Sequence, residues 1–169
     1  MNAHPRPARW YYEDFPPGMR RDFGAKVVAR DEVIAFARDF DPQPFHLDEE
    51  AAAASLFGRL SASGWHTAAM AMRMMCDEYM LEAASLGSPG IDEIRWLKPV
   101  FPGDRLRLRV TITAATPSRS KPFMGSVIQH GEMLNQHGQV VMSLKAIGLF
   151  RRRPAAAHAA TAAPPAAKG

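Results

Sequence analysis

Cysteine is almost absent from this chain: Cys76 is the single one in 169 residues. One thiol closes no internal disulfide and makes no metal cluster by itself, which sets aside a disulfide-stapled scaffold and a zinc module and fits a reducing compartment. A long hydrophobic run is missing too. No window approaches the ~18 consecutive apolar residues of a membrane span, and residues 1–9 lack the apolar core of a secretory signal. Zinc-finger spacing, an RNP-like aromatic segment and a helical stripe of Lys and Arg are likewise missing, and the net charge is only +4. The expectation is a cytoplasmic protein that holds no metal and engages neither nucleic acid nor a membrane.

What is present is ordinary for a globular chain: 47% apolar and 22% charged residues, at a length suited to one core. The start is polar and broken by proline, and the end is rich in Ala and Pro with nothing to bury. Residues 1–9 and 154–169 therefore read as flexible tails flanking one domain over 10–153. Arg151, Arg152 and Arg153 sit beside the second tail and supply part of the positive charge.

Within the domain, Val33, Ile34, Ala37 and Phe40 recur at helical spacing behind Asp31, which predicts an Asp-capped helix ending before Pro42. A short helix is expected over 48–54, with Asp48 as its cap. Residues 64–84, GWHTAAMAMRMMCDEYMLEAA, are apolar almost all round, so a long buried helix is expected there, with Cys76 a small buried hydrophobe within it. Strands follow over 94–100 and 106–112, where Leu106, Leu108, Val110 and Ile112 alternate with polar residues. Two more are expected over 123–134 and 140–146, joined by the turn at 135–138. Helices first and an antiparallel meander after them make an α+β domain, one curved sheet packed on a long central helix. His130 and His137, in or beside a hairpin, are expected to face solvent.

The segment DFDPQPFH, residues 39–46, carries the chemistry. Pro42 and Pro44 stiffen a bend that separates Asp41 from His46, so both side chains can be held toward one point. An imidazole with an ordinary pKa of ~6.5 exchanges protons at neutral pH, and a carboxylate beside it orients and biases it. Asp39 belongs to the helix end and Asp48 to the next cap, leaving Asp41 as the partner. An Asp before Pro is also common turn chemistry, so composition alone leaves a structural role open. Gly64, after Ser61-Ala-Ser63, opens the long helix, where unpaired amides and the positive dipole end face any anion placed there. A packing glycine is the plain alternative. Dyad and helix end together suit a reaction in which negative charge grows on a carbonyl oxygen while a proton moves nearby.

Three segments, DPQPFH, ASGWHTAA and WLKPVFPGD, resemble in order and spacing the motifs of the MaoC-like dehydratases, close to the (R)-specific enoyl-CoA hydratases, over about residues 11–150. The resemblance implies a hotdog fold, an antiparallel sheet curled around the central helix. It implies a homodimer or higher homo-oligomer whose sheets join, with active sites between subunits. It also implies reversible hydration of a 2-enoyl-CoA or dehydration of a 3-hydroxyacyl-CoA, with no cofactor beyond the CoA carried by the substrate. The family's Asp-x-Asn-Pro-x-His motif carries catalytic roles onto Asp41 and His46, and its thioester-holding glycine amide onto Gly64. Gln43 replaces the Asn, Pro42 is added, Ser63 stands where a histidine is usual, and Trp65-His66 replace apolar residues. Those departures bear on substrate choice: Phe45, Ser63, Trp65 and His66 become candidate substrate-binding residues, His66 in a pocket or local hydrogen-bonding role. Arg119 and Lys121, in SRSKP, become candidates for the CoA phosphates, against a plain solvated hairpin end. A thioesterase of the same fold remains an alternative, although no carboxylate is evident near the start of the long helix. A non-catalytic acyl-CoA binder or partner subunit is another, and a nucleic-acid module is a distant third.

Overall fold

A computed structural model describes residues 8–154. Most of both expected tails lies outside these residues. Of the N-terminal one, Arg9 is described, and its backbone N–H donates to the Glu82 carbonyl at 2.7 Å.

The elements are β1 (Arg20–Val27), α1 (Arg30–Phe40), α2 (Pro44–Leu47), α3 (Glu49–Ala53), α4 (Gly64–Glu78), β2 (Gly90–Trp96), β3 (Arg105–Pro117), β4 (Met124–Leu134) and β5 (Val140–Arg151). The strands form one antiparallel sheet in the order β1-β3-β4-β5-β2. Alternation drives its inner strands: Leu106, Leu108, Val110 and Ile112 of β3, Val127 and Met133 of β4, and Met142, Leu144, Ala146 and Phe150 of β5 are buried. Against them α4 lays Met70, Ala71, Met74 and Met75, a stripe one helical turn in period. The sheet wraps this helix, which is the hotdog arrangement the motifs implied. Phe15, Tyr79 and Phe150 close one end of the core, with Phe15 ring centroids 5.6 Å from Tyr79 and 4.5 Å from Phe150. The Tyr79 hydroxyl donates to Gln129 Oε1 at 2.9 Å, satisfying a polar pair inside the core.

Several expectations are corrected. α1 starts on Ala29, which offers no side-chain cap, and Asp31 sits in its first turn instead, where it meets the dipole. α4 stops at Glu78; Tyr79 leaves the helical region and a 3-10 turn covers Met80–Glu82. Nor is α4 buried all round: Trp65, Met72 and Arg73 are exposed, and Cys76 is only half-buried. The second strand lies four residues earlier than expected, at Gly90–Trp96, and β1 was missed altogether. β3 runs on to Pro117. His137 is exposed in the turn, but His130 is half-buried within β4. Asp48 does cap α3, accepting from the Ala51 amide at 2.8 Å. Among the described residues no helix is long and apolar enough to cross a membrane.

Candidate active site

The stiff bend read as a loop becomes, from Pro44 onward, the one-turn helix α2. Proline at its first position needs no amide partner there and already has helical φ. That turn points His46 inward, where it is buried, while Asp41 stays at the C-cap of α1. The Asp41 amide is tied to the Ala37 carbonyl at 2.9 Å, and the Gln43 amide to the Asp41 carbonyl at 2.7 Å, so the carboxylate hangs from a fixed backbone.

His46 Nδ1 lies 2.7 Å from the Ser61 carbonyl oxygen. A carbonyl only accepts, so in the neutral ring Nδ1 carries the proton and Nε2 the lone pair. Nε2 is 3.6 Å from Asp41 Oδ2, too long for a good direct hydrogen bond but a span that one water can bridge. Ser63 Oγ donates to the same Oδ2 at 2.7 Å, and Gln43 Nε2 to Oδ1 at 2.7 Å. The Ser63 hydroxyl, then Gln43 and the nearby imidazole, hold the Asp41 carboxyl below its ordinary pKa against an opposing effect of burial.

Ser63 is also the N-cap of α4, accepting from the Trp65 amide at 3.1 Å. Among the described residues the Gly64 amide donates to nothing, as the first amides of a helix do unless a ligand or cap meets them. Its carbonyl accepts from Trp96 Nε1 at 2.8 Å. The Trp96 ring sits so close that a β-carbon on residue 64 would come within 2.5 Å of it.

These groups face one cleft of about 420 Å³, lined by Asp41, Gln43, Phe45, His46, Phe57, Ala62, Gly64, Trp65, Thr67 and the segment from Trp96 to Val100, including Lys98. The structure thus brings Asp41, His46, Phe45, Gly64 and Trp65 to one cavity, with Ser63 buried just behind Asp41. It places His66 elsewhere. That ring stacks on Phe36, 4.7 Å between centroids and 10° from parallel, and lines a separate groove of about 680 Å³ between α1, β1 and α4. One residue along a helix is a turn of roughly 100°, enough to send Trp65 and His66 to different sides. Arg119 and Lys121 are exposed beyond the end of β3 and line neither cavity. The carboxylate judged missing near the start of α4 is Asp41 itself, supplied across the fold. Sequence reasoning assigned no role to Gln43, Ser61, Trp96 or Lys98. Gln43 lies inside the first motif and Trp96 and Lys98 inside the third, so the motifs themselves were the available signal. Ser61 acts through its backbone and left none. Among the described residues no group of three or more His, Cys, Asp or Glu side chains converges as for a metal ion.

A family model described as "MaoC like domain" matches residues 14–131. A MaoC-like dehydratase from Rhodospirillum rubrum, known from its crystal structure, is 44% identical, with a TM-score of 0.79 over 85% of this chain and 98% of its own. The (R)-hydratase from A. caviae involved in PHA biosynthesis is 24% identical with a TM-score of 0.63, over 83% of this chain and 98% of its own, a likeness of fold. Mesaconyl-CoA hydratase from Cereibacter sphaeroides is 41% identical over 70 residues, which is 41% of this chain but only 20% of that longer protein.

Proposed function

The chain belongs to the MaoC-like dehydratase family, and from that premise we propose that it is a hydro-lyase adding water reversibly across the double bond of a 2-enoyl-CoA. The same site run backwards dehydrates a 3-hydroxyacyl-CoA. The observation that carries this reading is the convergence of Asp41, His46 and the open Gly64 amide on one cleft.

Water bridges His46 Nε2 and Asp41 Oδ2. His46 Nε2 takes one of its protons as the oxygen bonds to C3 of the enoyl group, and the π electrons move toward the thioester carbonyl. The enolate oxygen so formed meets the Gly64 amide at the positive end of α4. The proton then passes to C2, the enolate collapses, and the imidazole is neutral again. Asp41 stabilises the transient imidazolium throughout. No redox or metal step is required, and CoA enters as part of the substrate. Phe45 and Trp65, which line the cleft, are assigned here to the acyl group.

The test is incubation with crotonyl-CoA and a panel of longer and branched enoyl-CoAs, following loss of the conjugated absorbance. Asp41→Asn and His46→Ala are expected to lose about 10²- to 10⁴-fold in rate. Equal turnover by wild type and both variants would remove Asp41 and His46 from the mechanism. Hydrolysis of the thioester is the second reading, favoured by the single fact that Asp41 lies against the start of α4. Release of free CoA thiol without loss of the double bond would select it. No turnover of either kind would favour an acyl-CoA binder.

We also infer that a second copy pairs along β2. This strand has β5 on one side only, and Ile91 (55%), Trp96 (45%) and Leu97 (53%) stand exposed on or just past it.

A further inference from the structure

We propose that Ser63 is a positioning residue that fixes Asp41 as an ionised carboxylate through the reaction, which leaves His46 Nε2 as the one atom of the dyad free to carry the proton. This rests on the hydratase reading of the site and assigns labour within it.

The direction of one hydroxyl sets the arrangement. Ser63 is fully buried, and its oxygen accepts from the Trp65 amide at 3.1 Å. Its proton is thereby turned outward, onto Asp41 Oδ2 at 2.7 Å. The other carboxylate oxygen receives the Gln43 amide at 2.7 Å. A protonated Asp41 would have to set its own O–H against one of these donors, so both contacts favour the charged form. The helix dipole adds to this, since Ser63 joins the carboxylate to the start of α4.

His46 is constrained in the opposite sense. The Ser61 carbonyl at 2.7 Å keeps the proton on Nδ1. Only Nε2 faces the cleft with an open lone pair. Of the elements around Asp41, α2 presents His46, the segment after β2 presents Lys98 to the same cleft, and the first turn of α4 carries no acidic side chain. Asp39, at the end of α1, lines the other groove. Among the described residues no second carboxylate lines the cleft with Asp41 to push its proton affinity back up. The consequence is a fixed anion beside a mobile proton carrier, and the hydroxyl that sets it is Ser63.

The test follows the Asp41 side-chain carboxyl by ¹³C NMR across an acid titration in wild type, Ser63→Ala and Ser63→Thr. In wild type the midpoint is expected below the ordinary value of ~3.9; Ser63→Thr, which keeps the hydroxyl, should match it, and Ser63→Ala should rise. In parallel, kcat for crotonyl-CoA should fall in Ser63→Ala more than KM changes, with Ser63→Thr restoring it. A wild-type midpoint at or above ~3.9 overturns the proposal, as does an unchanged titration in Ser63→Ala. Wild type and Ser63→Thr decide it even if Ser63→Ala fails to fold for want of its cap. Absence of enoyl-CoA turnover would sink the hydratase reading while the titration still judges the Ser63–Asp41 link.

Discussion

At the scale of single residues, the site depends on what residue 64 lacks. A β-carbon there would lie within 2.5 Å of the Trp96 ring, which also donates to the Gly64 carbonyl. Gly64→Ala is therefore expected to push the ring and the amide apart and to lower kcat about 10²- to 10³-fold, the usual cost of one oxyanion donor. A second change, Trp96→Leu, should make room and recover part of that loss. Steady-state kinetics of the single and double variants with crotonyl-CoA check both statements; a double variant no better than Gly64→Ala would show the ring is not the obstacle. His66 is the contrasting case. It was legible as unusual but not as facing away, because the sequence does not say which side of α4 the sheet will take. Its Nδ1 is buried with no hydrogen-bond partner among the described residues. Burial pushes its pKa below the ordinary value, Glu32 opposing and Lys26 adding to the effect. A lowered folded pKa means the unfolded chain binds the proton first, so stability is full above ~6.5 and falls as pH drops from there through the folded value. His66→Phe keeps a ring against Phe36 and removes the titration. Urea melts from pH 7.5 to 5 should show the variant losing less stability than wild type, by a slope difference of at most about 1.4 kcal/mol per pH unit. Parallel slopes would mean the imidazole does not act this way.

Elements were legible to the extent that their periodicity was clean. The β3 alternation from Leu106 to Ile112 reads directly as a strand with one buried face, and the structure buries those four residues. β1 gave no such signal. Its register shifts between Phe23 and Lys26, around Gly24, so the pattern RRDFGAKV breaks in the middle and looks like loop. The bulge has a packing reason: Gly24 adopts φ +81°, and a β-carbon on it would sit 2.5 Å from Met74 Sδ. The irregularity that hid β1 is what lets α4 come close to the sheet. Gly24→Ala is expected to destabilise by about 1–3 kcal/mol, combining left-handed strain with overpacking. Denaturant midpoints would read the loss; a neutral result would mean that Met74 swings away at little cost. β2 was misplaced for another reason. All its residues but the half-buried Ile94 are exposed in the single chain, so GIDEIRW carries no alternation that a sheet with one wet side would impose. The proximity of Asp41 and His46 was readable, because prolines announce a rigid bend. What the bend meets is not local: Ser61, Ser63 and Trp96 are brought to it by tertiary packing.

At the scale of the whole molecule, the exposure of β2 is the unresolved feature of a single chain. An edge strand carrying apolar side chains and unpaired backbone groups is a template for another strand, and proteins that stay in solution cover or blunt such edges. Ile91, Trp96 and Leu97 are not blunted by proline or by an inward charge. The same segment continues as Leu97, Lys98, Pro99 and Val100 along the wall of the candidate cleft. A second copy paired on β2 would thus firm the cleft wall as well as hide the patch. Light scattering after gel filtration is expected to give twice the chain mass of 18.6 kDa, or a higher even multiple. Ile91→Asp combined with Leu97→Asp should shift the protein to the monomer, since two buried charges without partners cost more than a modest interface returns. Turnover should fall with the dimer fraction, because the wall from Trp96 to Val100 loses its support while Asp41 and His46 stay in place. A wild-type monomer at micromolar concentration would overturn the pairing. A monomeric double variant with full turnover would leave the pairing standing but separate it from the chemistry.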